Sequence, residues 1–443
     1  MDMLLLFLIL RGLVAASAIP IQNDGAQTLI GLLTAMSFLL MCSVGLYSRA
    51  ALWQTQTVLV RALVTFLLMF PLFALAVSAY RSLMGNAGLT LQLALIAVVL
   101  FAPLTVLMRR AFRAIMSLDA LRHRVLVIGA GRQGARVEAL GRRPKPHFLP
   151  VGFIHVGEAA AQVPAFLPHD EVFAGRGLWR LVRDKRVDEI VVALDERRGF
   201  SFSQVLECKL RGVKVTDFAS FYEREAGEID LLEMKLSWLI FSDGFQLDRA
   251  RLVLKRLFDI VVASLLLLLT LPVTLLAALA IKLDSRGPIF YRQERVGLRG
   301  APFAVLKFRS MRVDAEKDGP VWARAKDNRV TAIGGFLRKS RIDEIPQVIN
   351  VLKGDMSFIG PRPERQVFVD QLRDVIPHYD ERHLIKPGIT GWAQVNYPYG
   401  ASIEDARNKL AYDLYYIKNG SFFLDLVILL QTVRVIIWAE GSR

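Results

Sequence analysis

The first 110 residues constrain this chain most, because they hold four long apolar stretches and almost no charge. The stretches run roughly Leu4–Ile19, Thr28–Tyr47, Thr57–Tyr80 and Leu89–Met108. About 20 apolar residues suffice to cross a bilayer core as a helix, so residues 1–112 are expected to form a four-helix transmembrane region. The first stretch is the shortest and carries Arg11. A cleaved signal peptide is its alternative reading, although Ala16-Ser17-Ala18 makes a weak cleavage site. The mean hydropathy of the whole chain, +0.37, agrees with part of it lying in lipid.

Basic residues give the orientation. Arg49 and Arg61 lie between the second and third stretches, and Arg109, Arg110 and Arg113 follow the fourth. The other two connections hold Asn23-Asp24-Gly25 and Arg81. The positive-inside rule then puts both ends of the bundle in the cytoplasm, with the rest of the chain starting there. A formal net charge of +15 suits nucleic acid, anionic lipid headgroups or phosphorylated substrates; of these, no nucleic acid partner is expected. The two cysteines, Cys42 and Cys208, stand far apart, and the six histidines show no HExxH spacing. Neither a disulfide framework nor a zinc site is supported.

Residues 122–247 read as an α/β domain. Strand patterns at Arg124–Gly129, Phe148–Ile154, Glu189–Ala193 and Val213–Val215 alternate with helical ones at Leu178–Lys185 and Phe202–Arg211. Such alternation predicts a parallel sheet with crossover helices. Gly129-Ala130-Gly131-Arg132-Gln133-Gly134 follows a strand and opens a helix, the context in which this pattern holds a phosphate. The acidic residue expected after the second strand is missing; Phe153-Ile154-His155 stands in that region. The glycines therefore serve either a tight turn alone or a site for a nucleotide or nucleotide sugar.

A further apolar run, Leu257–Leu283, is long enough to span a membrane, yet both flanks are basic. Arg249, Arg251, Lys255 and Arg256 precede it, and Lys282, Arg286, Arg292, Arg295 and Arg299 follow. Both ends thus prefer the cytoplasmic face. Pro272 near the middle removes a helix hydrogen bond. A bent helix over about 255–283 that enters one leaflet and returns reconciles these features; a kinked span is the alternative.

Beyond residue 284 the chain is rich in basic residues, glycine and proline. Lys307-Phe308-Arg309, Arg338-Lys339-Ser340-Arg341, Asp343-Glu344 and Pro361-Arg362-Pro363 stand out. On an α-helix Asp343 and Glu344 would differ by about 100° and could both border one cleft. One carboxylate could hold Mg²⁺ together with substrate phosphates. The other could attack phosphorus and form an acyl phosphate. Arg338, Arg341 and Arg362 could clamp phosphate oxygens. A bare Asp-Glu pair is more often a solvated surface feature, and only these flanks raise its standing.

From Lys255-Arg256-Leu257-Phe258-Asp259 onward, the chain resembles the catalytic domain of bacterial polyisoprenyl-phosphate hexose-1-phosphate transferases, also called monotopic phosphoglycosyl transferases. The matching motifs run in order through Gly287–Gly297, Lys307–Met311, Asp343-Glu344, Asn350–Pro363 and Lys386–Asn396. The first 250 residues resemble the long form of that family, which adds four membrane helices and a Rossmann-like middle domain. The fold implied is a membrane α-helical bundle, an α/β Rossmann-like domain over 122–247, and an α-rich catalytic domain over 251–443 with a re-entrant membrane helix.

The resemblance also implies a mechanism. Asp343 attacks the β-phosphate of a UDP-sugar, UMP leaves, and undecaprenyl phosphate takes the phosphosugar from the enzyme. Glu344 then binds Mg²⁺, Arg338 and Arg362 contact phosphates, and Lys307 and Arg309 are further contacts of that kind. It places the enzyme in a bacterial inner membrane with the catalytic domain facing the cytoplasm, and it makes a homodimer plausible. Tyr397-Pro398-Tyr399-Gly400 departs from the Gly-Arg of many relatives and is similar to a subgroup linked to exopolysaccharide export. Asp413 is a further candidate site residue, with a structural hydrogen bond as its plain alternative. The C-terminal stretch Phe422–Trp438 reads as an amphipathic surface or docking helix.

Two other functions compete. The middle domain could be a nicotinamide-dependent sugar-nucleotide dehydratase or epimerase, against which stand the missing acid and the lack of a Tyr-x-x-x-Lys pair there. The chain could also be a non-catalytic membrane scaffold whose basic face binds anionic lipid.

Overall fold

The structure is a computed structural model that describes residues 2–16, 24–44, 46, 55–84, 89–115, 122–143, 146–156, 161–232, 234, 244–245, 249–313, 315, 329–398, 400 and 402–438. Asn23, Arg49, Tyr399 and the Ser17-Ala18 pair lie outside the described residues. The chain divides into two compact units. One comprises Met1–Ile115, Leu247–Asp405 and Gly420–Arg443, the other Met116–Gln246 and Ala406–Asn419.

The first unit opens with helices α1 (Asp2–Ala16), α2 (Asp24–Ser43), α3 (Thr55–Met84) and α4 (Leu91–Ile115). Apolar side chains at helical spacing, Leu6 and Leu10 of α1, Leu29 and Leu33 of α2, and Phe66 and Phe73 of α3, share one core with Phe101 of α4. Leu4, Leu8, Leu32, Leu67, Leu75 and Leu107 face outward and are exposed. Around a water-soluble bundle these would be polar positions; here the outer face is as apolar as the inner one, as lipid requires.

Among the described residues, four helices are long and apolar enough to cross a membrane: Asp24–Ser43, Arg61–Met84, Leu91–Ala111 and Arg249–Asp284. The α1 helix is not among them, since its 15 residues rise only about 22 Å. It is nevertheless packed into the core.

The helix ends alternate in direction. Arg109 of α4 pairs with Asp2 at 2.5 Å and donates to the carbonyl of Leu46 at 3.0 Å. The start of α1, the chain just after α2 and the end of α4 therefore meet at one end of the bundle.

The second unit is a five-stranded parallel sheet. Its strands are β1 (His123–Ile128), β2 (Phe148–His155), β3 (Leu167–Pro168), β4 (Glu189–Val192) and β5 (Lys214–Asp217), ordered β3-β2-β1-β4-β5. Helix α5 (Arg132–Arg142) links β1 to β2, α6 (Leu178–Asp184) precedes β4, and α7 (Ser203–Leu210) leads to β5. After β5 comes α8 (Phe218–Ala226). Val125 and Val127 join Phe148 and Phe221 in one core, whereas Leu126 and Ile128 join Ile190 and Val205 in another. Both faces of β1 are buried, which is why its sequence is a continuous apolar run rather than an alternating one.

Residues 406–419, part of the helix Ile403–Asn419, belong to this unit. Lys418 pairs with Glu223 of α8 at 2.6 Å, and the amide of Ile229 donates to the carbonyl of Ala411 at 3.1 Å.

The remainder of the first unit begins with α9 (Arg249–Asp284), which contains Pro272. A hairpin of β6 (Phe290–Val296) and β7 (Pro302–Phe308) follows. Then come α10 (Ala332–Lys339), α11 (Gln347–Lys353), β8 (Ser357–Ile359) and its parallel partner β9 (Gly388–Thr390). Ala263 of α9 shares a core with Val305 and Val351, and further along Ala277 and Ile281 share one with Phe308 and Leu337.

The last helix, α12 (Phe422–Trp438), docks as well as lying beside apolar surface. Thr432 bonds to Thr390 of β9 at 2.7 Å, and the Trp438 indole donates to the carbonyl of Val44, just after α2, at 3.1 Å.

Candidate active site

The Asp343-Glu344 pair sits in a break between two short helices. Thr331 caps α10 by accepting from the amide of Gly334 at 3.0 Å. The helix ends at Lys339, and Arg341 takes a left-handed backbone with φ of 59°. That conformation costs an L-residue roughly 1–2 kcal/mol, and it stops the helix. Ile342–Glu344 then form a single 3₁₀ turn, and Pro346, which has no N–H to donate, caps the start of α11. The expected α-helical separation of the two carboxylates is thereby corrected: a 3₁₀ turn advances about 120° per residue. The pair is splayed and held by its surroundings, not by a helix face.

Glu344 is caged by cations from three segments. Its Oε1 accepts from Lys307 Nζ of β7 at 3.1 Å and from Arg362 at 2.7 Å, while Oε2 lies 3.8 Å from Arg341. Burial opposes its ionisation, but Arg362 and Lys307 outweigh burial and hold the carboxyl well below the usual range. Asp343 goes the other way. Burial and then the neighbouring charge of Glu344 raise its pKa, against the opposing pull of Lys307, Arg362 and Arg338. Its carboxylate is buried, 8% exposed, and accepts no hydrogen bond among the described residues. Burial also pushes the Lys307 ammonium down, with Glu344 acting to restore it.

Arg362 is aimed by its backbone. Between β8 and the helix Gln366–Arg373, consecutive carbonyls of the Pro361-Arg362-Pro363-Glu364 strap are each held. Gly388 donates to Pro361 at 2.8 Å, Arg382 to Arg362 at 3.1 Å, Arg295 to Pro363 at 3.2 Å, and Val296 to Glu364 at 2.9 Å. The two prolines supply no donors of their own, so the strap receives bonds without competing for them. Across the hairpin, Tyr291 stands opposite Lys307. Gln293 links Tyr291 (3.1 Å) to Arg295 (3.0 Å) along one face of β6.

The structure thus brings together Asp343, Glu344, Lys307, Arg341 and Arg362, with the charge of Arg338 acting on Asp343. Arg309 stands elsewhere. Its guanidinium donates to the carbonyls of Ser285 (2.7 Å) and Arg286 (3.0 Å), closing the C-terminal end of α9. Asp413 is buried, 2% exposed, within residues 406–419 of the α/β unit.

Several motif residues prove to be fasteners. Arg256 donates to Val351 and Leu352 at the end of α11 (2.5 and 2.7 Å), and Asp259 accepts from the amide of Phe358 at 2.8 Å. Asn350 bridges Ala304 and Leu306 of β7 (2.8 and 2.9 Å). Tyr397 donates to Asp405 at 3.1 Å, within the cap of the helix Ile403–Asn419. Two further cations support the site, Arg295, expected only as a basic flank of the apolar run, and Arg382. The period-two row Tyr291, Gln293, Arg295 was a usable signal for the first; nothing local marked the second.

For Mg²⁺ the donor set is small. Among the described residues no group of three or more His, Cys, Asp or Glu side chains could hold a metal. Mg²⁺ commonly takes one or two carboxylates and completes its shell with water and substrate phosphates. Two adjacent carboxylates, Asp343 accepting no hydrogen bond among the described residues, fit that shared mode and not a metal held by protein alone.

Residues 250–439 match the family described as bacterial sugar transferase. A Caulobacter vibrioides UDP-glucose:undecaprenyl-phosphate glucose-1-phosphate transferase is 46% identical over 192 residues, 42% of this chain and 71% of the relative. The chain belongs to the bacterial sugar transferase family. Two longer relatives match as well. An Aeromonas hydrophila UDP-N-acetylgalactosamine-undecaprenyl-phosphate N-acetylgalactosaminephosphotransferase is 41% identical over 276 residues, covering 60% of the chain and 64% of the relative. A Klebsiella pneumoniae UDP-glucose:undecaprenyl-phosphate glucose-1-phosphate transferase is 46% identical over 189 residues, 42% of the chain and 41% of the relative. The chain therefore spans less than two thirds of the length of these two relatives.

Proposed function

We propose that the protein transfers a sugar-1-phosphate from a UDP-sugar to undecaprenyl phosphate, releasing UMP and initiating an exopolysaccharide or related glycan. The observation that carries this reading is the buried Asp343 carboxylate, which accepts no hydrogen bond among the described residues, beside a Glu344 held by Lys307, Arg341 and Arg362. The relatives named above act on UDP-sugars and undecaprenyl phosphate, which supports the same substrate classes here.

In the first step an Asp343 oxygen attacks the β-phosphorus, and the bond from that phosphorus to the bridging oxygen of UMP breaks. The phosphosugar is then an ester of Asp343. In the second step a phosphate oxygen of the lipid attacks the same phosphorus and Asp343 leaves as carboxylate. Neither displacement needs a net proton. Arg362, Lys307 and Arg338 neutralise the phosphate oxygens as charge builds on them, and Arg362 does so from a fixed strap. Glu344 would hold Mg²⁺ together with the diphosphate, and the ion would neutralise phosphate charge there, leaving Asp343 to attack.

For the lipid step, α9 is read as a re-entrant helix and the α/β unit as Rossmann-like. Both arms of α9 share small cores with β7, around Val305 and Phe308. Those two positions lie about 10 Å apart on a strand, whereas Ala263 and Ile281 would be about 27 Å apart on a straight helix. A bend at Pro272 accounts for both. Its exposed Leu265, Leu268, Leu269, Leu275 and Leu276 then lie in one leaflet of the bacterial inner membrane, with Asp343 at the cytoplasmic surface.

The test is turnover of the purified full chain with Mg²⁺, undecaprenyl phosphate and a panel of UDP-sugars. UMP release that persists unchanged in Asp343→Asn defeats the covalent mechanism; no release with any UDP-sugar defeats the donor class.

A further inference from the structure

The glycine-rich turn Gly129–Gly134 lies beyond the C-terminal end of β1, next to β4, where the strand order of the sheet reverses. Open α/β sheets take their ligands at that crevice, and an anion there meets the first amides of the following helix. In this chain those amides are already engaged. The carboxylate of Asp195, from the segment after β4, accepts from the amide of Arg132 at 2.8 Å and from that of Gln133 at 3.0 Å. It stands over the first turn of α5, where unpaired N–H groups and the helix dipole favour a negative charge.

Each glycine of the turn serves an internal neighbour. A Cβ on Gly129, whose φ is 122°, would collide with the carbonyl of Ala193; one on Gly131 would collide with the Asp195 carboxylate; one on Gly134 would collide with the carbonyl of Gly129. In a dinucleotide site the same three positions provide a tight turn, close approach to the pyrophosphate, and helix packing. Here the second of these admits a side chain of the chain itself.

The neighbouring space is filled too. The amides of Gln162 and Val163 both donate to the carbonyl of Ala130, at 2.7 and 3.2 Å, so the segment after β2 folds over the turn. At the end of β2, where a ribose-binding acid would stand, His155 lies against Phe166 with ring centroids 5.0 Å apart.

We infer that Asp195 is a built-in substitute for a ligand phosphate, so that the α/β unit binds neither a dinucleotide nor a nucleotide sugar at this turn. The turn works instead as a clasp between α5 and the segment after β4. A phosphate reaching these amides would have to expel a carboxylate tethered at the same place, and it would meet that carboxylate's charge on the way. The same contacts leave a nicotinamide-dependent reaction in this unit without its pyrophosphate site.

Hydrogen exchange of the purified full chain tests this, read on the peptide covering residues 129–136. NAD, NADP and UDP-glucose, each in large excess, should leave exchange of the wild-type peptide unchanged. Asp195→Ala should speed it about tenfold, the usual consequence of losing such a cap, while β1 and β4 amides keep their protection as the fold control. Should Asp195→Ala lose strand protection, Asp195→Asn, which keeps an acceptor oxygen, should give an intermediate acceleration. Slowed exchange of the wild-type peptide with any of the three nucleotides overturns the inference, as does unchanged exchange in both variants.

Discussion

Asp195 and Glu344 are both carboxylates surrounded by nitrogen donors, but the donors differ in kind. Asp195 is held by main-chain amides of α5, which cannot leave without undoing the first turn of that helix. Glu344 is held by the side chains of Lys307, Arg341 and Arg362, which come from three segments and can rotate toward another anion. Main-chain donors make a permanent clasp. Side-chain donors make a reserve of positive charge, stored on Glu344, on which the diphosphate of the proposed donor would draw. The strap beneath Arg362 limits how far that reserve can wander, and Asp343 stands beside it with no hydrogen bond to its oxygens among the described residues.

The comparison breaks most sharply at Asp343. Asp343→Asn should lower UMP release by on the order of a thousandfold or more, as removal of a nucleophile does. Arg362→Ala should cost about a hundredfold in kcat, the scale of one lost donor to transition-state charge. Arg362→Lys should recover only part, because an ammonium cannot reproduce the planar fork. Equal kcat in Arg362→Ala would make its bond to Glu344 purely structural.

The pH–rate profile sharpens the contrast next. Asp343 must be ionised to attack, and its pKa is raised, so the rate should fall, as pH drops, at a higher pH than for an ordinary aspartate. Glu344 is held low and should add no second step there. Arg338→Gln removes a charge that lowers the Asp343 pKa, so it should move the acid limb further up in pH.

Arg309→Ala should act on stability instead, by about 2 kcal/mol for the orphaned carbonyls at the end of α9, visible as a lower melting midpoint. The smallest effect belongs to the clasp. Asp195→Ala should cost about 1 kcal/mol of stability and change UMP release by less than about twofold, because Asp195 belongs to the α/β unit and contributes no group to the Asp343 site.

Much of this was legible beforehand, for reasons that differ by region. Strands β1 and β4 announce themselves as short Val/Ile/Leu runs because both faces of each are buried, whereas β2 and the edge strand β5 are only partly buried and show weaker apolar patterns. Strand β3, two residues long, offers no pattern to read. The carboxylate pair was visible in the sequence, but its 3₁₀ geometry was not, since no residue type foretells a left-handed Arg341. Arg309 looked like a phosphate ligand because it stands two residues after Lys307 in a motif shared with the sugar transferases. Residues two apart on a strand share a face, but Arg309 follows the last residue of β7 and turns toward α9. Residues 406–419 carry an ordinary amphipathic pattern, and only a packed structure assigns that face to the α/β unit.

The ion pair between Asp2 and Arg109, and the bond from Trp438 to Val44, bear on how this protein can be handled. Both contacts belong to the same end of the helical bundle, because Arg109 also reaches Leu46, two residues beyond Val44. Fluorescent or enzymatic reporters joined before Asp2 and after Trp438 would then share one aqueous compartment. A split reporter divided between the two positions should reassemble within a single molecule, whereas one half moved to the connection between α3 and α4 should stay dark.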